Sequence, residues 1–131
     1  MLKKDNKLDD ATEDLAYRVI GAALEVHKEL DPSLLEILYE NALCLELSRR
    51  NIRYERQKEY TVDYKSISIG THILDILVED TIVIELKVVE KFVPVHHAQL
   101  LSYLKIADKG LGLLINFNTR FLKEGIKRFV L

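Results

Sequence analysis

Two carboxylates and a lysine interrupt apolar β-strand patterns in the middle of the chain, and their types and spacing could support hydrolytic chemistry. Glu85 and Lys87 lie within the run TIVIELKVVE, and Asp75 lies within the preceding run HILDILV. Because side chains alternate along a strand, Glu85 and Lys87 lie on one face. If residues 79–81 form a three-residue hairpin loop, Asp75 lies opposite Glu85, whereas a two-residue loop separates them.

Opposing carboxylates repel each other unless a cation lies between them or one is protonated. A divalent cation resolves this repulsion, and oxygen ligands suit Mg²⁺ or Mn²⁺, whereas the sequence lacks the Cys/His spacing of structural zinc. Lys87 could then orient a metal-activated water or offset charge in the transition state. The trio predicts metal-assisted phosphodiester hydrolysis. The open alternative is a structural ion pair of Glu85 with Lys87, with Asp75 in a turn.

These residues must be positioned by the elements around them, which begin with two predicted helices. The first covers about residues 10–30, with Asp10 as its N-cap and an apolar stripe along one side. The second covers about residues 33–50, with Leu38 and Leu45 among its apolar residues. Both helices are expected to pack on a sheet.

The chain then changes to a strand pattern. Runs rich in β-branched and aromatic residues between positions 56 and 89 predict three consecutive antiparallel strands. A further helix begins near Pro94, with Ala98 and Leu104 facing inward. LGLLINF reads as a central strand covered on both faces, and GIKRFVL as a last edge strand. The predicted fold class is therefore α/β (α+β), a mixed sheet flanked by helices.

Asp75, nine intervening residues and Glu85-Leu86-Lys87 resemble the PD-(D/E)XK nuclease signature in its D…ExK form. The runs AALEVHKELDPSLLEILYENAL and ILVEDTIVIELKVVEKFVPVHHAQLLSYLK closely resemble the small prokaryotic GxxExxY proteins assigned to that superfamily. The resemblance extends from about residue 12 to the end. It implies a restriction-endonuclease-like αβββαβ core and a single domain over residues 1–131, in which residues 1–9 are expected to be a disordered segment.

The resemblance also implies a role for each matching residue. Asp75 and Glu85 would be the metal-binding carboxylates, with the backbone carbonyl of Leu86 as a further ligand and Lys87 as the catalytic lysine. Gln99 and Tyr103 would match the QxxxY element of RecB-like nucleases, and their i, i+4 spacing places them on one helix face. The alternative for these two is a plain polar pair at the helix edge.

Glu36 would be the acidic residue of the first motif, a third metal ligand. The family pattern Gly-x-x-Glu-x-x-Tyr appears here as Ser33-Leu-Leu-Glu36-Ile-Leu-Tyr39, without the glycine. Ser33-x-x-Glu36 is also a capping-box pattern, in which Glu36 bonds the Ser33 amide and is less free to bind metal. Tyr39 could contact substrate or belong to the core.

The other polar residues leave alternatives open. His27 could ligate metal or be a satisfied core histidine, and His96 and His97 could reach the site or simply begin a helix. Basic residues between positions 49 and 58, and between 123 and 128, could follow a phosphate backbone. For the first group, interspersed glutamates favour a solvated mixed-charge face.

Composition sets the class of protein. A length of 131 residues suits one domain, and 48% hydrophobic with 31% charged residues is typical of a soluble protein. A single cysteine, Cys44, and a polar start predict a cytoplasmic protein without a secretory signal. The trio of Asp75, Glu85 and Lys87 and the resemblance together lead us to expect a Mg²⁺- or Mn²⁺-dependent nuclease acting on DNA, with RNA as an open second substrate. The alternative is a non-catalytic module that binds nucleic acid or protein. A homodimer or a protein partner stays open, and no membrane association is expected.

Overall fold

The computed structural model describes residues 8–131, which form three α-helices, five β-strands and one short 3₁₀ helix. In chain order they are α1 (Asp10–Leu30), α2 (Glu36–Arg49), β1 (Tyr54–Tyr64), β2 (Ile67–Val78), β3 (Ile82–Lys87), α3 (Pro94–Ala107), β4 (Leu111–Asn116), the 3₁₀ helix (Leu122–Gly125) and β5 (Ile126–Val130).

All five strands belong to one sheet in the order β1-β2-β3-β4-β5. The first three strands are antiparallel, β3 and β4 are parallel, and β5 returns antiparallel at the edge. α3 connects the parallel strands β3 and β4, because a parallel pair requires a crossover connection. The predicted mixed sheet flanked by helices is confirmed.

The sheet is covered on both faces. One face packs with α1 and α2 in the larger core cluster, which includes Val19, Leu43 and Ile84. The other face packs with α3 through a smaller cluster, which includes Val83 and Leu100. All residues of β4 are buried, as expected for a central strand between two helical layers. No helix among the described residues is long and apolar enough to cross a membrane.

The start of α1 differs from the prediction by one residue. Asp9, not Asp10, is the N-cap, and its Oδ1 accepts a 2.7 Å hydrogen bond from the Thr12 amide. Asp10 and Glu13 lie in the first turn, where negative charge favours the helix dipole. The predicted disordered segment, residues 1–9, falls outside the described residues except for Leu8, which packs against the core, and Asp9.

α2 begins three residues later than predicted, and two of the apolar residues that the sequence analysis names on it do not face the core. Its N-cap is Leu35, and within residues 8–131 no side chain bonds the helix start. Leu38 and Leu45 are exposed at 43% and 57%. The buried face instead carries Tyr39, Leu43 and Leu47. Apolar residues on both sides of this helix made its periodicity ambiguous.

Three contacts hold the end of the sheet beside β3. The Phe117 amide, just after β4, donates to the Lys87 carbonyl at 3.0 Å. The Phe117 ring stacks on Tyr39 of α2, with centroids 4.6 Å apart and ring planes 6° apart. The Tyr39 hydroxyl in turn donates to the Asp31 carbonyl at 2.5 Å, in the connection between α1 and α2. The start of α2 is thereby fixed near the carboxyl ends of β3 and β4.

Candidate active site

The pairing of β2 with β3 follows the register on which the site depends. Val78 pairs with Ile82, Leu77 with Val83 and Ile76 with Ile84, so residues 79–81 form the three-residue connection. The next positions along this register are Asp75 and Glu85. Val83 packs on the α3 side of the sheet, and strand alternation places Glu85 and Lys87 on that side too.

The backbone pairing of β2 with β3 ends at Ile76 and Ile84. Beyond it, the side chains of Asp75 and Glu85 accept hydrogen bonds from the backbone of the opposite strand. The Leu86 amide donates to Asp75 Oδ2 at 3.0 Å, and the Asp75 amide lies 3.4 Å from Glu85 Oε1. Each acidic side chain therefore accepts from the backbone of the opposite strand. This reciprocal arrangement holds both carboxylates in the gap where β2 leaves β3.

The outer strand is also irregular at this position. Gln57 of β1 falls opposite Asp75, between the pairs of Arg56 with Ile76 and Lys58 with Leu74. Gln57 has φ 50, in the left-handed region that side-chain-bearing residues rarely adopt. Such backbone conformations cost about 1–3 kcal/mol and cluster at functional sites. The pairing of β1 with β2 is therefore interrupted at Gln57 and Asp75, beside the carboxylates.

Burial and mutual repulsion dominate the electrostatics of the pair. Glu85 is 7% exposed, and burial, followed by the charge of Asp75, raises its pKa to about 8. Burial also raises the pKa of Asp75, although the Leu86 amide and the charge of Lys87 oppose the shift. Lys87 lowers the pKa of both groups without cancelling the effect of burial. The pair thus lacks enough positive charge to ionise fully near neutral pH.

Glu36 approaches this pair from the start of α2. Partial burial, followed by the charge of Asp75, raises its pKa, and Lys87 opposes the shift. The capping box, which was the alternative role for Glu36, is absent, because Ser33 lies outside the helix with φ 85 and Glu36 is the first helical residue. The Glu36 carboxylate accepts no hydrogen bond from a residue in the described part of the chain. It is therefore free to take part in the site.

Tyr103 and Gln99 approach from α3. Both are half-buried, and the pKa of Tyr103 is raised by burial and then by the charges of Glu85 and Asp75. The Tyr103 ring also packs on His72 of β2, with centroids 4.0 Å apart. Gln99 lies one turn before Tyr103, and its amide forms no hydrogen bond with the carboxylates among residues 8–131.

A further carboxylate, Glu40, was missed by the sequence analysis. It is 3% exposed and lies one turn after Glu36, where its charge raises the pKa of Asp75 and of Glu36. Its Oε2 accepts from Arg56 Nη2 at 2.6 Å, and Gln57 Nε2 donates to the same carboxylate at 3.2 Å. The i, i+4 spacing from Glu36 was the available signal, but its partners lie 16 and 17 residues away.

Asn116 is a second residue that the sequence analysis missed. It ends β4 opposite Lys87 and is 2% exposed. Its Nδ2 donates to the Val89 carbonyl at 2.8 Å, and its Oδ1 accepts from the Val89 amide at 3.1 Å. One buried side chain thus fixes the chain just after Lys87. An amide inside the apolar run LGLLINF was the available signal.

The histidines do not join the carboxylates. His27 is 8% exposed and donates from Nε2 to the Thr119 carbonyl at 2.6 Å, which makes it a satisfied core histidine. His96 Nδ1 accepts from the Val93 amide at 3.1 Å at the start of α3. His97 packs between Phe92 and Phe129.

The donor set at the site fits a hard divalent cation. Mg²⁺ is usually bound by one or two carboxylates together with waters and substrate phosphates, so a complete protein cage is not needed. Within residues 8–131 no group of three or more His, Cys, Asp or Glu side chains is arranged to hold a metal. Asp75 and Glu85 nevertheless offer buried oxygen ligands whose repulsion a cation would relieve, and Glu36 lies near enough to feel the charge of Asp75.

Comparison with known proteins gives one assignment. The sequence profile of the PD-(D/E)XK nuclease superfamily matches residues 13–129, which is most of the chain and includes every candidate site residue. Neither the comparison with curated proteins nor that with solved structures gave a significant match.

Proposed function

We propose that this chain, which belongs to the PD-(D/E)XK nuclease superfamily, is a Mg²⁺- or Mn²⁺-dependent enzyme that hydrolyses phosphodiester bonds in DNA. Membership of the superfamily indicates nuclease activity in general and a nucleic-acid substrate. The choice of metal, the preference for DNA over RNA, the assignment to the GxxExxY proteins and a single domain over residues 1–131 belong to the proposal. One observation carries it: a nearly buried Glu85 beside Asp75, with Lys87 as the adjacent cation.

The proposed roles follow the geometry. Asp75 and Glu85 would hold the cation, with the Leu86 carbonyl and the free carboxylate of Glu36 as further ligands. Held by these residues, a divalent cation would supply a water of lowered pKa and positive charge beside a phosphate oxygen. These ligands come from α2, β2 and β3, which the sheet and the Tyr39–Phe117 stack hold together.

The remaining groups act on the substrate rather than on the metal. Lys87 offsets negative charge that develops on the phosphate, an effect that is strong in a site shielded from water. Tyr103 and Gln99 are placed on one face of α3, from which they would orient the scissile phosphate or Lys87. The ion pair of the buried Glu40 with the exposed Arg56 joins the face of α2 that presents Glu36 to β1.

Calorimetric titration with Mn²⁺ tests the metal site directly. We expect the wild-type chain to bind Mn²⁺ and the Glu85→Gln variant to bind at least tenfold more weakly, because one buried anionic ligand is lost. Glu59→Gln is the matched control, since Glu59 is an exposed carboxylate on β1 outside the site. Equal Mn²⁺ affinity in wild type and Glu85→Gln would show that the metal-site assignment is wrong.

Incubation with linear, nicked and single-stranded DNA, and with RNA, then tests the activity. We expect metal-dependent cleavage by wild type and by Glu59→Gln, and a loss of at least 100-fold in Glu85→Gln and Lys87→Ala, within the range found for removal of one electrostatic group. Metal binding without cleavage of any substrate would favour the alternative, a non-catalytic module on the same scaffold. Light scattering of the same samples measures whether a dimer forms.

A further inference from the structure

A basic groove lies between α1 and the segment that follows β4, outside the carboxylate site. We define it by Leu24, His27 and Lys28 of α1 together with residues 120–124. Its volume is about 460 Å³. The groove is open to solvent along the side chains of Lys28, Arg120 and Lys123, which are all exposed.

The wall formed after β4 is held in place by several contacts. His27 donates to the Thr119 carbonyl at 2.6 Å, which ties the segment to α1. The Thr119 hydroxyl donates to the Asn116 carbonyl at 3.2 Å. At Gly125 an added Cβ would lie 2.5 Å from the Asn116 carbonyl oxygen, so the segment returns closely over the end of β4. The groove is therefore a fixed feature of the fold.

The charge of the groove is not balanced within the protein. Within residues 8–131, Lys28, Arg120 and Lys123 form no ion pair, whereas Arg18, Arg50 and other cations do. Glu124 is the acid among the lining residues, which leaves an excess of positive charge. The whole chain has a net charge of −2, so this local excess marks a site for an anion rather than a general property of the surface.

An exposed aromatic ring accompanies the cations. Phe121 is 57% exposed, and the Arg120 guanidinium carbon lies 5.2 Å from its ring centroid. Proteins that bind single-stranded nucleic acid combine a positive groove with aromatic side chains on which bases stack. A phosphate-binding site alone would not require the ring.

The groove opens at the end of the sheet that carries the candidate site. Lys87 and Asn116 are the last paired residues of the parallel strands β3 and β4, so the segment that forms the groove leaves the sheet beside Lys87. The Phe117 amide at the start of this segment bonds the Lys87 carbonyl. The groove and the carboxylate site therefore lie at the same end of the sheet, the groove on its α1 side and the side chains of Glu85 and Lys87 on its α3 side.

We propose that the basic groove binds a single-stranded nucleic acid, with Lys28 and Lys123 on its phosphates and Phe121 stacked against an unpaired base. As a holding site near the catalytic centre the groove rests on the proposed function, but its binding of a strand does not require cleavage. A duplex fits these features less well, because its bases are already stacked on each other and present no free face to Phe121.

Fluorescence anisotropy with a labelled single strand of about 12 nucleotides, a length within the usual site sizes, tests the proposal. The measurement uses the full chain in EDTA, so that neither metal nor cleavage affects it. DNA and RNA single strands and the matching duplexes are compared. We expect single strands to bind at least tenfold more tightly than duplexes, with affinity falling as salt increases.

Two variants separate the parts of the groove. Lys28→Gln combined with Lys123→Gln should weaken single-strand binding about tenfold and reduce the slope of log affinity against log salt by roughly 1.4, since each phosphate contact on a single strand contributes about 0.7. Phe121→Ala should weaken binding about tenfold. Phe121→Tyr, which keeps the ring, should bind as wild type does.

Matched controls lie elsewhere on the surface. Lys65→Gln combined with Lys105→Gln removes the same charge from the β1–β2 turn and from α3. Tyr64→Ala removes an aromatic ring that is 60% exposed. Both should leave binding within about twofold of wild type, less than the loss of one base stack.

Several results would overturn the groove assignment: no binding of any strand in low salt, equal losses in the groove and control variants, duplex binding as tight as single-strand binding, or an unchanged affinity in Phe121→Ala. These results are distinct from failure of the proposed function. A chain that cuts DNA with Mn²⁺ but binds equally with and without the groove lysines would keep the nuclease proposal and reject the groove.

Discussion

At the scale of single residues, the site is defined by charges that the fold leaves incompletely compensated. Lys87 is half-buried and adjacent to Glu85, but it does not outweigh the burial of Glu85 and the charge of Asp75. Glu40, by contrast, is equally buried and is paired with Arg56 at 2.6 Å. The difference distinguishes a carboxylate fixed for structure from one that retains its capacity to bind a cation.

The unpaired state of Glu85 has a measurable consequence for stability. The pKa of Glu85 is raised to about 8 in the folded chain, whereas a glutamate in an unfolded chain has a pKa of about 4.3. Between these values the folded state holds more protons, so the free energy of unfolding falls as pH rises. Below the lower value both states are protonated and the effect vanishes.

We therefore predict that Glu85→Gln gains stability relative to wild type as pH rises from about 5 to about 8 in EDTA. The relative gain should be on the order of 2 kcal/mol or more, because each pKa unit corresponds to about 1.4 kcal/mol. Thermal unfolding monitored by circular dichroism measures it. Glu59→Gln, at an exposed carboxylate, should show a constant difference from wild type. A constant difference for Glu85→Gln as well would show that Glu85 titrates normally.

At the scale of secondary-structure elements, the entry into α2 decides whether Glu36 is available. Ser33 has φ 85 and Asp31 has φ 61, so the chain turns sharply before the helix begins. The Tyr39 hydroxyl closes this turn by accepting from the Leu34 amide at 3.1 Å and donating to Asp31. Ser33 occupies the position of the glycine in the Gly-x-x-Glu-x-x-Tyr pattern, and glycine adopts positive φ without steric cost.

This geometry predicts opposite effects at the two helix starts. Ser33→Gly should stabilise the chain by up to about 1 kcal/mol through relief of the positive φ, less the added entropy of glycine in the unfolded chain. Asp9→Ala should cost about 1 kcal/mol, because α1 loses its N-cap bond. Chemical denaturation measures both free energies of unfolding. A loss of about 1 kcal/mol in Ser33→Gly would instead indicate that Ser33 caps α2.

Helices and strands were predicted well where their apolar residues follow a single repeat, either that of a helix or that of a strand. Alternation in β3 and a three-residue connection were enough to place Asp75 opposite Glu85, because register propagates along a ladder. The start of α2 was mispredicted, since Ser33 has a positive φ in a turn that the Tyr39 hydroxyl bonds, and Tyr39 itself stacks on the distant Phe117. The pairing of Glu40 with Arg56 joins a helix to a strand and has no periodic signature.

At the scale of the whole molecule, burial is concentrated at the centre of the sheet and decreases toward the β1–β2 hairpin. β3 and β4 contain fully buried residues such as Ile84 and Leu113, and both lie between paired strands. β2 pairs with β3 only through residues 76–78, so the rest of the hairpin extends past the sheet. Its outer part carries Tyr64, Ile67 and Ile69, which are 60–69% exposed.

Native-state hydrogen exchange should therefore divide the chain into two regions. We predict that amides of residues 61–71 exchange through local opening, at free energies well below that of global unfolding, because few buried contacts oppose it. Amides of β3 and β4 should exchange only with global unfolding. Mass spectrometry of peptic fragments at two protein concentrations distinguishes the cases. Strong protection of residues 61–71 at both concentrations would contradict the prediction for the single chain.

Protection that appears only at the higher concentration would indicate pairing of the hairpin with a second copy. An extended strand edge with exposed isoleucines is a template for such pairing.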